Sequence, residues 1–402
     1  MGQTLTEFDA VLKDQYEGKI RDILNSSIFL LKMLSKDDES FTGRKVVFPV
    51  NVARNEGVGA RGDNGTLPTA QNEVYVESNI SVKYNYGRIE VTGPTIKASQ
   101  GDAGAFAKAV GSEVKAMVRN LKSDINRQLY GDGTGVLALT NGAGGNTTSL
   151  IVDTPGARFL RRGVVIDVYT ATTGGSQEIS AISISSDPTT TTSATLASAQ
   201  TWSNNSYIFR TGNRGMEMSG IRGIVDDGTL GASLQAINRN TYPRWRGNVL
   251  GNSGVNRTLT LDLMQRAIDN ANETGEGEID LIVGHHSIRR EYLRLLQPDV
   301  RYAPTELRGG FKVLTYAGGG DDTVIYFDKD ADYNRFQFLD TSSLKIYRQS
   351  DFYWMDEDGA ILSRVSGKDA FEATLKYYAE LGTDAPNKNS RLDDITVSGL
   401  LF

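Results

Sequence analysis

Apolar residues recur at steps of three and four along residues 102–130: Phe106, Val110, Val114, Met117, Val118, Leu121, Ile125 and Leu129. That spacing places them on one stripe of a helix. Lys108, Lys115, Arg119, Lys122 and Arg127 occupy the other faces, and Gly131 supplies a stop. At 1.5 Å per residue such a helix is about 43 Å long. Leu5, Phe8, Leu12, Tyr16, Ile20, Ile23 and Leu24 repeat the pattern and predict a helical stretch over 5–35, interrupted by Gly18 and by the apolar cluster 28–34. This arm packs either in its own domain or on another subunit, and its pattern does not separate the two.

Elsewhere the period falls to two. Residues 44–53 and 73–92 read as strand, with Val74, Val76, Ile80, Val82, Tyr84 and Tyr86 alternating against polar neighbours and a phase shift near Ser78. Strict alternation suits a strand with one packed and one wet face. Pro49 cannot donate to a ladder, which makes the first strand an edge. Between the strands lies the glycine-rich NEGVGARGDNGTLPTAQNE, 55–73, in which Asn64-Gly65 signals a tight turn. The prediction is a long ribbon with a flexible tip. A two-stranded ribbon alone is marginal in water, so it is expected to lie on something, most simply a neighbouring copy.

Over 140–215 Thr, Ser, Gly and Asn dominate, with short strand runs at 164–169, 179–184 and 207–210. Asp187-Pro188 and the four threonines after it read as a turn and loop. This is a small all-β module bounded by glycine-rich stretches at 142–145 and 212–215. Over 257–345 helix and strand alternate: a helix at 259–271, a buried strand at 279–283, a helix over 286–296 stopped before Pro298, and strands near 311–316, 323–327 and 335–339. This predicts a mixed α/β layer, and 344–382 returns to strand.

The length of 402 residues fits two to three domains. With no cysteine, disulfides, zinc–thiolate sites and thiol catalysis are excluded, which suits a reducing compartment. A net charge of −6 argues against a polycationic arm that wraps nucleic acid. The longest apolar run, Ile28-Phe29-Leu30-Leu31, falls far short of the roughly 20 residues that span a bilayer.

Candidate chemistry is thin. The only histidines, His285 and His286, sit between a strand and a helix with no cysteine to complete a zinc site. Asp328, Asp330 and Asp332 open like a calcium loop, but Tyr333 stands where glycine belongs and Leu339 where glutamate belongs; a solvated turn is expected. Gly131-Asp132-Gly133-Thr134-Gly135 follows a helix, whereas a phosphate cradle precedes one. Arg61-Gly62-Asp63 and the β module are the hints of an adhesive role. No nucleophile elbow, lysine-bearing P-loop or zincin helix is present. No catalytic, cofactor or metal residue is therefore assigned, and an enzyme is not expected.

The heptapeptide LYGDGTG, Leu129 to Gly135, at the end of the long helix resembles the major capsid proteins of tailed bacteriophages, the Hong Kong 97-type fold. SGIRGIVDD (219–227) resembles the segment that usually follows it, here delayed by the β-rich stretch. IDLIVGHHSIRREYLRLL resembles the axial domain's strand–helix step, and FEATLKYYAELGTDAPNKNSRLDDI the returning peripheral strand. The resemblance implies an α+β fold: an N-terminal arm (1–41), an extended β-hairpin loop (42–93) and a peripheral domain (94–139) with spine helix 102–130. An inserted β domain (140–215), a connection (216–255), an axial domain (256–340) and a return to the peripheral domain (341–402) follow.

It further implies a shell of pentamers and hexamers enclosing double-stranded DNA, in which hairpin and arm lie on neighbouring copies. Phe8, Leu12, Phe29, Leu30, Arg54, Arg61 and Asp63 are then the expected inter-subunit contacts. The expected partners are further copies, portal, scaffolding and decoration proteins, and weak non-specific contact with packaged DNA, with no membrane. The expected location is the virion capsid, assembled in the host bacterial cytoplasm. Some members cross-link through a lysine of the extended loop. Residues 54–73 hold Arg54 and Arg61 but no lysine, the nearest being Lys45 and Lys83, so no such bond is expected. No scaffold-like segment precedes the arm, so scaffolding is expected from a separate protein or not at all. An encapsulin-like compartment shell and an adhesin or receptor-binding protein are the alternatives.

Overall fold

The apolar stripe becomes a helix of the expected length. Ala103–Tyr130 is helical over 28 residues, and Val114, Val118, Leu121, Ile125 and Leu129 are all buried. The computed structural model describes residues 29–38, 41, 43–94, 103–153, 156–190, 192–296, 305–307, 311–316, 323–356 and 361–397. The predicted contacts Phe8 and Leu12 lie outside these residues, as does most of the predicted arm.

The chain divides into two units. The first comprises residues up to 46, 81–129 and 345–381. Its five-stranded sheet runs Ser35–Asp37, Leu344–Trp354, Ala370–Thr383 and Ser363–Arg364, with Lys83–Thr92 also paired to Ala370–Thr383. The last pairing is antiparallel and unbroken from Lys83 opposite Ala379 to Thr92 opposite Ala370. The long helix seats on this strand where glycine lets it approach: a Cβ on Gly87 would stand 2.8 Å from Met117 Sδ. Gln128 Nε2 donates to Asn85 Oδ1 at 2.9 Å. Asn85, Gly87 and Ile89 are buried, while Tyr84, Tyr86, Arg88 and Glu90 are exposed, the alternation of a half-covered sheet.

The second unit comprises 47–80, 130–344 and 382 onward. Its seven-stranded sheet has the order Asn248–Leu250, Ser390–Leu392, Phe336–Leu339, Leu281–Gly284, Thr323–Phe327, Phe311–Tyr316, Thr305–Leu307. Leu281–Gly284 is parallel to Thr323–Phe327 and antiparallel to Phe336–Leu339. Such a central strand is covered on both faces, hence its unbroken apolar run. Met264, Ala267, Ile268 and Ala271 of helix Leu261–Gly275, with Ile288 and Tyr292 of helix His286–Leu296, share a core with Ile282, Ile325, Phe336 and Phe338. Thr260 caps the first of these helices, its Oγ1 accepting the Leu263 N–H at 3.2 Å.

The threonine-rich segment forms a six-stranded sheet in the order Val136–Leu139, Tyr207–Arg210, Val165–Tyr169, Gln177–Thr190, Ser193–Trp202, Gly144–Ile151. Its ends meet. Thr140 bridges Val152, flanked by Asn141 N–H to Ile151 O at 3.0 Å and Asp153 N–H to Leu139 O at 2.9 Å. The sheet closes on itself as a small barrel, which hides its edges, around Leu150, Val152, Leu160, Ile166, Val168, Leu196 and Ile208. The turn expected at Asp187–Thr192 is displaced, because Asp187–Thr190 ends the long strand Gln177–Thr190. Pro188 fits because it falls in a register irregularity between Ser186 and Thr190, where the ladder needs no N–H. The barrel's first strand begins at Val136, ahead of the change in composition at 140.

The ribbon is shorter than its alternation suggested. Lys45–Ala53 pairs with Val74–Ser81 in a two-stranded sheet of its own. The run breaks at Val82, and Lys83–Thr92 belongs to the first unit's sheet.

Candidate assembly surface

The ribbon's strands pack one face on this chain, with Phe48, Val50 and Val76 half-buried, while the tip stands clear. Val46, Val52, Ser78 and Ile80 are buried. Ser78 Oγ donates to Gln235 Oε1 at 2.9 Å, and Asn79 N–H donates to Gln235 O at 2.9 Å. Gln235 and Ala236 form the tight turn between Ser233–Leu234 and Ile237–Asn238, with φ of 51° and 67°. On the other face and at the tip apolar residues are bare: Val47 is 44 % exposed, Val74 42 %, Tyr75 62 %, Val58 64 % and Leu67 81 %. Scattered single apolar residues need no explanation, but a run along one unpaired ribbon marks a surface made for contact.

The tip has a defined shape. Asn64 is left-handed at φ 62°, and Gly65 N–H donates to Gly62 O at 3.0 Å, which is the predicted turn. Arg61 bends back on the loop, Nε donating to Thr66 O at 2.8 Å and one terminal nitrogen to Ala60 O at 2.9 Å. The guanidinium thus shapes the tip from inside, which weakens the adhesive reading of Arg61-Gly62-Asp63. Arg54, Arg61 and Asp63 are exposed. Phe29 and Leu30 are a correction: they are 2 % and 0 % exposed within this chain and offer no surface to a neighbour. The short helix Phe29–Met33 leads into Ser35–Asp37, which pairs parallel with Lys345–Tyr347 and tucks the apolar cluster inward.

A tyrosine group unnoticed in the sequence lies on the first unit's sheet. The Tyr378 ring meets Tyr84 at 4.9 Å and Tyr86 at 5.8 Å, both edge-on, and Tyr353 at 6.3 Å. Lys376 Nζ lies 5.5 Å above the Tyr353 ring. Tyr84 and Tyr86 remain 48 % and 56 % exposed. The alternation puts Tyr84 and Tyr86 on the apolar phase with Val82; the structure instead turns Asn85, Gly87 and Ile89 inward and leaves the two tyrosines on the wet face, where an apolar ring with a polar tip suits an interface.

LYGDGTG and SGIRGIVDD, separated in sequence by the barrel, meet in space. Gly223 N–H donates to Gly131 O at 3.2 Å and Gly215 N–H to Thr134 O at 2.8 Å. A Cβ on Gly223 would come within 3.0 Å of the Asp132 backbone. The barrel therefore leaves and rejoins the chain at one point. Two guanidiniums hold the carbonyls that end the helix Ile221–Ile224. Arg239 donates to Gly223 O at 2.8 Å and Ile224 O at 2.7 Å; Arg391 donates to Val225 O at 2.8 Å. Asp226, 0 % exposed, neutralises both at 3.2 and 3.6 Å.

The expected solvated turn at Asp328–Asn334 is a turn but not solvated: Asp328 and Asp330 are buried. Tyr130 donates to Asp328 Oδ2 at 3.2 Å. Arg335 and Arg222 reach Asp332 at 3.0 and 3.8 Å. Burial alone would raise the Asp332 carboxyl, but Arg222, Arg335 and Arg158 overcome it and hold it at about 2. His285 Nδ1 lies 2.8 Å from Ser287 Oγ and 3.2 Å from the Ser287 amide, at the start of helix His286–Leu296. Burial, then Arg158, His286 and Arg290, push it down to about 4, so it stands neutral as a helix start. Among the described residues no group of three or more ligating side chains could hold a metal ion, and no helix is long and apolar enough to cross a membrane.

No family model and no curated protein matches the sequence. Among solved structures, the capsid asymmetric unit of cyanophage A-1(L) superposes with a TM-score of 0.57 over 91 % of this chain and 92 % of that chain, at 15 % identity. The chain has the Hong Kong 97-type capsid fold. Lesser likenesses are the holo-SrpI encapsulin complex of Synechococcus elongatus (TM-score 0.49, 8 % identity, 94 % of this chain and 91 % of that one) and the capsid of Myoviridae phage XM1 (0.44, 10 %, 91 % and 91 %). In this Hong Kong 97-type chain the ribbon, the long helix and the α/β layer come in the order read from the sequence, with the barrel emerging after LYGDGTG.

Proposed function

We propose that the chain is the major capsid protein of a tailed phage, which self-assembles through pentamers and hexamers into the icosahedral shell around a double-stranded DNA genome. The observation that carries this reading is the ribbon: within a capsid fold, a two-stranded sheet packs one face on its own chain and leaves its other face and its tip bare. A second copy supplies the missing cover, which also explains why the ribbon looked unsupported in sequence. Phe8, Leu12, Arg54, Arg61 and Asp63 remain the proposed contacts, and the tyrosine face joins them. Closed shells need such head-to-tail contacts.

The role is structural rather than catalytic. A net charge of −6 fits a wall that does not grip its contents, so genome contact is weak, sequence-independent and salt-sensitive. Portal, scaffolding and decoration proteins are the further partners, and the virion capsid, assembled in the host cytoplasm, is the location.

Purified protein, imaged by negative stain and read at 260 and 280 nm from infected cells, tests this. Closed shells rich in nucleic acid support it. Closed shells filled with a protein cargo favour a compartment instead, and a monomer that binds cells through Arg61 favours the adhesin.

A further inference from the structure

Asp328, Asp330 and Asp332 alternate like the opening of a calcium loop, yet the later ligand positions fail. Arg335 and Arg222 pair with Asp332, and a further guanidinium comes to the turn's backbone from the barrel. Arg158, on the short helix Gly156–Phe159 of the barrel, reaches across to the turn of the α/β layer. One terminal nitrogen donates to Lys329 O at 3.0 Å and Ala331 O at 3.2 Å, and the other to Ala331 O at 3.2 Å. Its guanidinium lies 4.4 Å from the centre of the Phe159 ring. Burial disfavours its charge, while Asp332, Asp330 and Asp328 favour it. Backbone carbonyls of alternate residues converging on one cation, with carboxylates around it, is how oxygen ligands hold a metal; here a guanidinium takes that place.

The barrel's connections give this contact a purpose. Both linkers turn on left-handed glycines: Gly133 and Gly135 going out, Gly212 and Gly215 coming back. Arg214 secures the return linker, Nε donating to Thr172 O at 2.8 Å and one terminal nitrogen to Ala171 O at 2.7 Å, with its guanidinium 4.0 Å from the centre of the Tyr169 ring. Those bonds tie the linker to the barrel itself. The Arg158 bonds tie the barrel to the α/β layer, well away from the linkers in sequence.

We propose that Arg158 is the captive cation of the Asp328–Asp332 turn and latches the barrel in one pose on the α/β layer. The hydrogen bonds of the side chain go to the turn and not to the barrel, so the barrel keeps its fold without it but loses its fixed orientation. The vacated turn then accepts a small cation in its stead.

The absence of cysteine makes the test clean. Spin labels at Ala197→Cys on the barrel and Arg266→Cys on helix Leu261–Gly275, both exposed positions, report their separation in the full chain diluted with unlabelled subunits. The expected result is a narrow distance distribution with Arg158 present and one at least twice as broad in Arg158→Ala. Far-ultraviolet circular dichroism should stay unchanged, and calorimetric titration with methylguanidinium should show uptake by Arg158→Ala and none by the parent chain. An unchanged width in Arg158→Ala overturns the latch, and no uptake of methylguanidinium by Arg158→Ala overturns the captive-cation account. A barrel that unfolds in Arg158→Ala also overturns the proposal, because Arg158 would then belong to the barrel's own stability.

Discussion

Deleting residues 55–72 and joining Arg54 to Glu73 through a short turn removes the tip while sparing the ribbon's root. Ser78 and Asn79 keep their bonds to Gln235, so the isolated subunit should lose less than about 0.5 kcal/mol of stability, as for a surface change. What goes is contact surface: Val58 and Leu67, 64 % and 81 % exposed. Complete burial of such a side chain is worth about 2 kcal/mol. Covering the fraction these two expose is then worth about 3 kcal/mol per subunit, before the cost of ordering the tip. That is roughly a hundredfold in each association step. Light scattering against protein concentration, with sedimentation velocity on the same samples, gives the threshold for shell formation. The threshold should rise by one to two decades, the upper end if ordering the tip costs little. An unchanged threshold, with circular dichroism showing a folded subunit, would refute the role given to the ribbon.

Asp226→Ala leaves Arg239 and Arg391 buried without their carboxylate and should cost about 3–5 kcal/mol in urea unfolding; a loss below 1 kcal/mol would mean that water already reaches the site. His285 is held at about 4, below its ordinary 6.5, by burial and its cationic neighbours. The unfolded chain takes the proton first, so stability should fall as the pH drops from 6.5 towards 4. His285→Gln should flatten that part of the profile, and an equal slope in both proteins speaks against the assignment. With no lysine at 54–73, particles dissolved in hot detergent should run as single chains on a gel, and a ladder of covalent multimers would contradict this.

What the sequence disclosed were the elements whose neighbours are close in the chain. The stripe from Val114 to Leu129 needs only its own helix to be legible, and His286–Leu296 begins and ends at the residues predicted. Pairings between distant residues were hidden. Val74–Ser81 and Lys83–Thr92 read as one alternating run because nothing local says that the second half pairs with Ala370–Ala379, about 290 residues on. Barrel closure rests on one bridge, Thr140 to Val152, between two strand ends with no composition signal. The acidic turn was read as solvated because polar residues usually are. Its partners, Arg158, Arg222 and Tyr130, come from three remote segments. Phe29 and Leu30 were taken for an outward surface because nothing local shows that the segment just after them, Ser35–Asp37, pairs with Lys345–Tyr347 over 300 residues away. The candidate surface was legible as a ribbon lacking support; the tyrosine face was not, since its members come from three strands.

Hydrogen exchange over residues 45–81, compared between isolated subunits and assembled protein, tests most directly whether a second copy covers the ribbon. The root amides, already bonded, should exchange slowly in both states. The backbone of 54–73 should exchange freely in the subunit and slow by at least tenfold in the particle. Equal exchange of that segment in both states, or a protein that stays a monomer at every concentration, would contradict it.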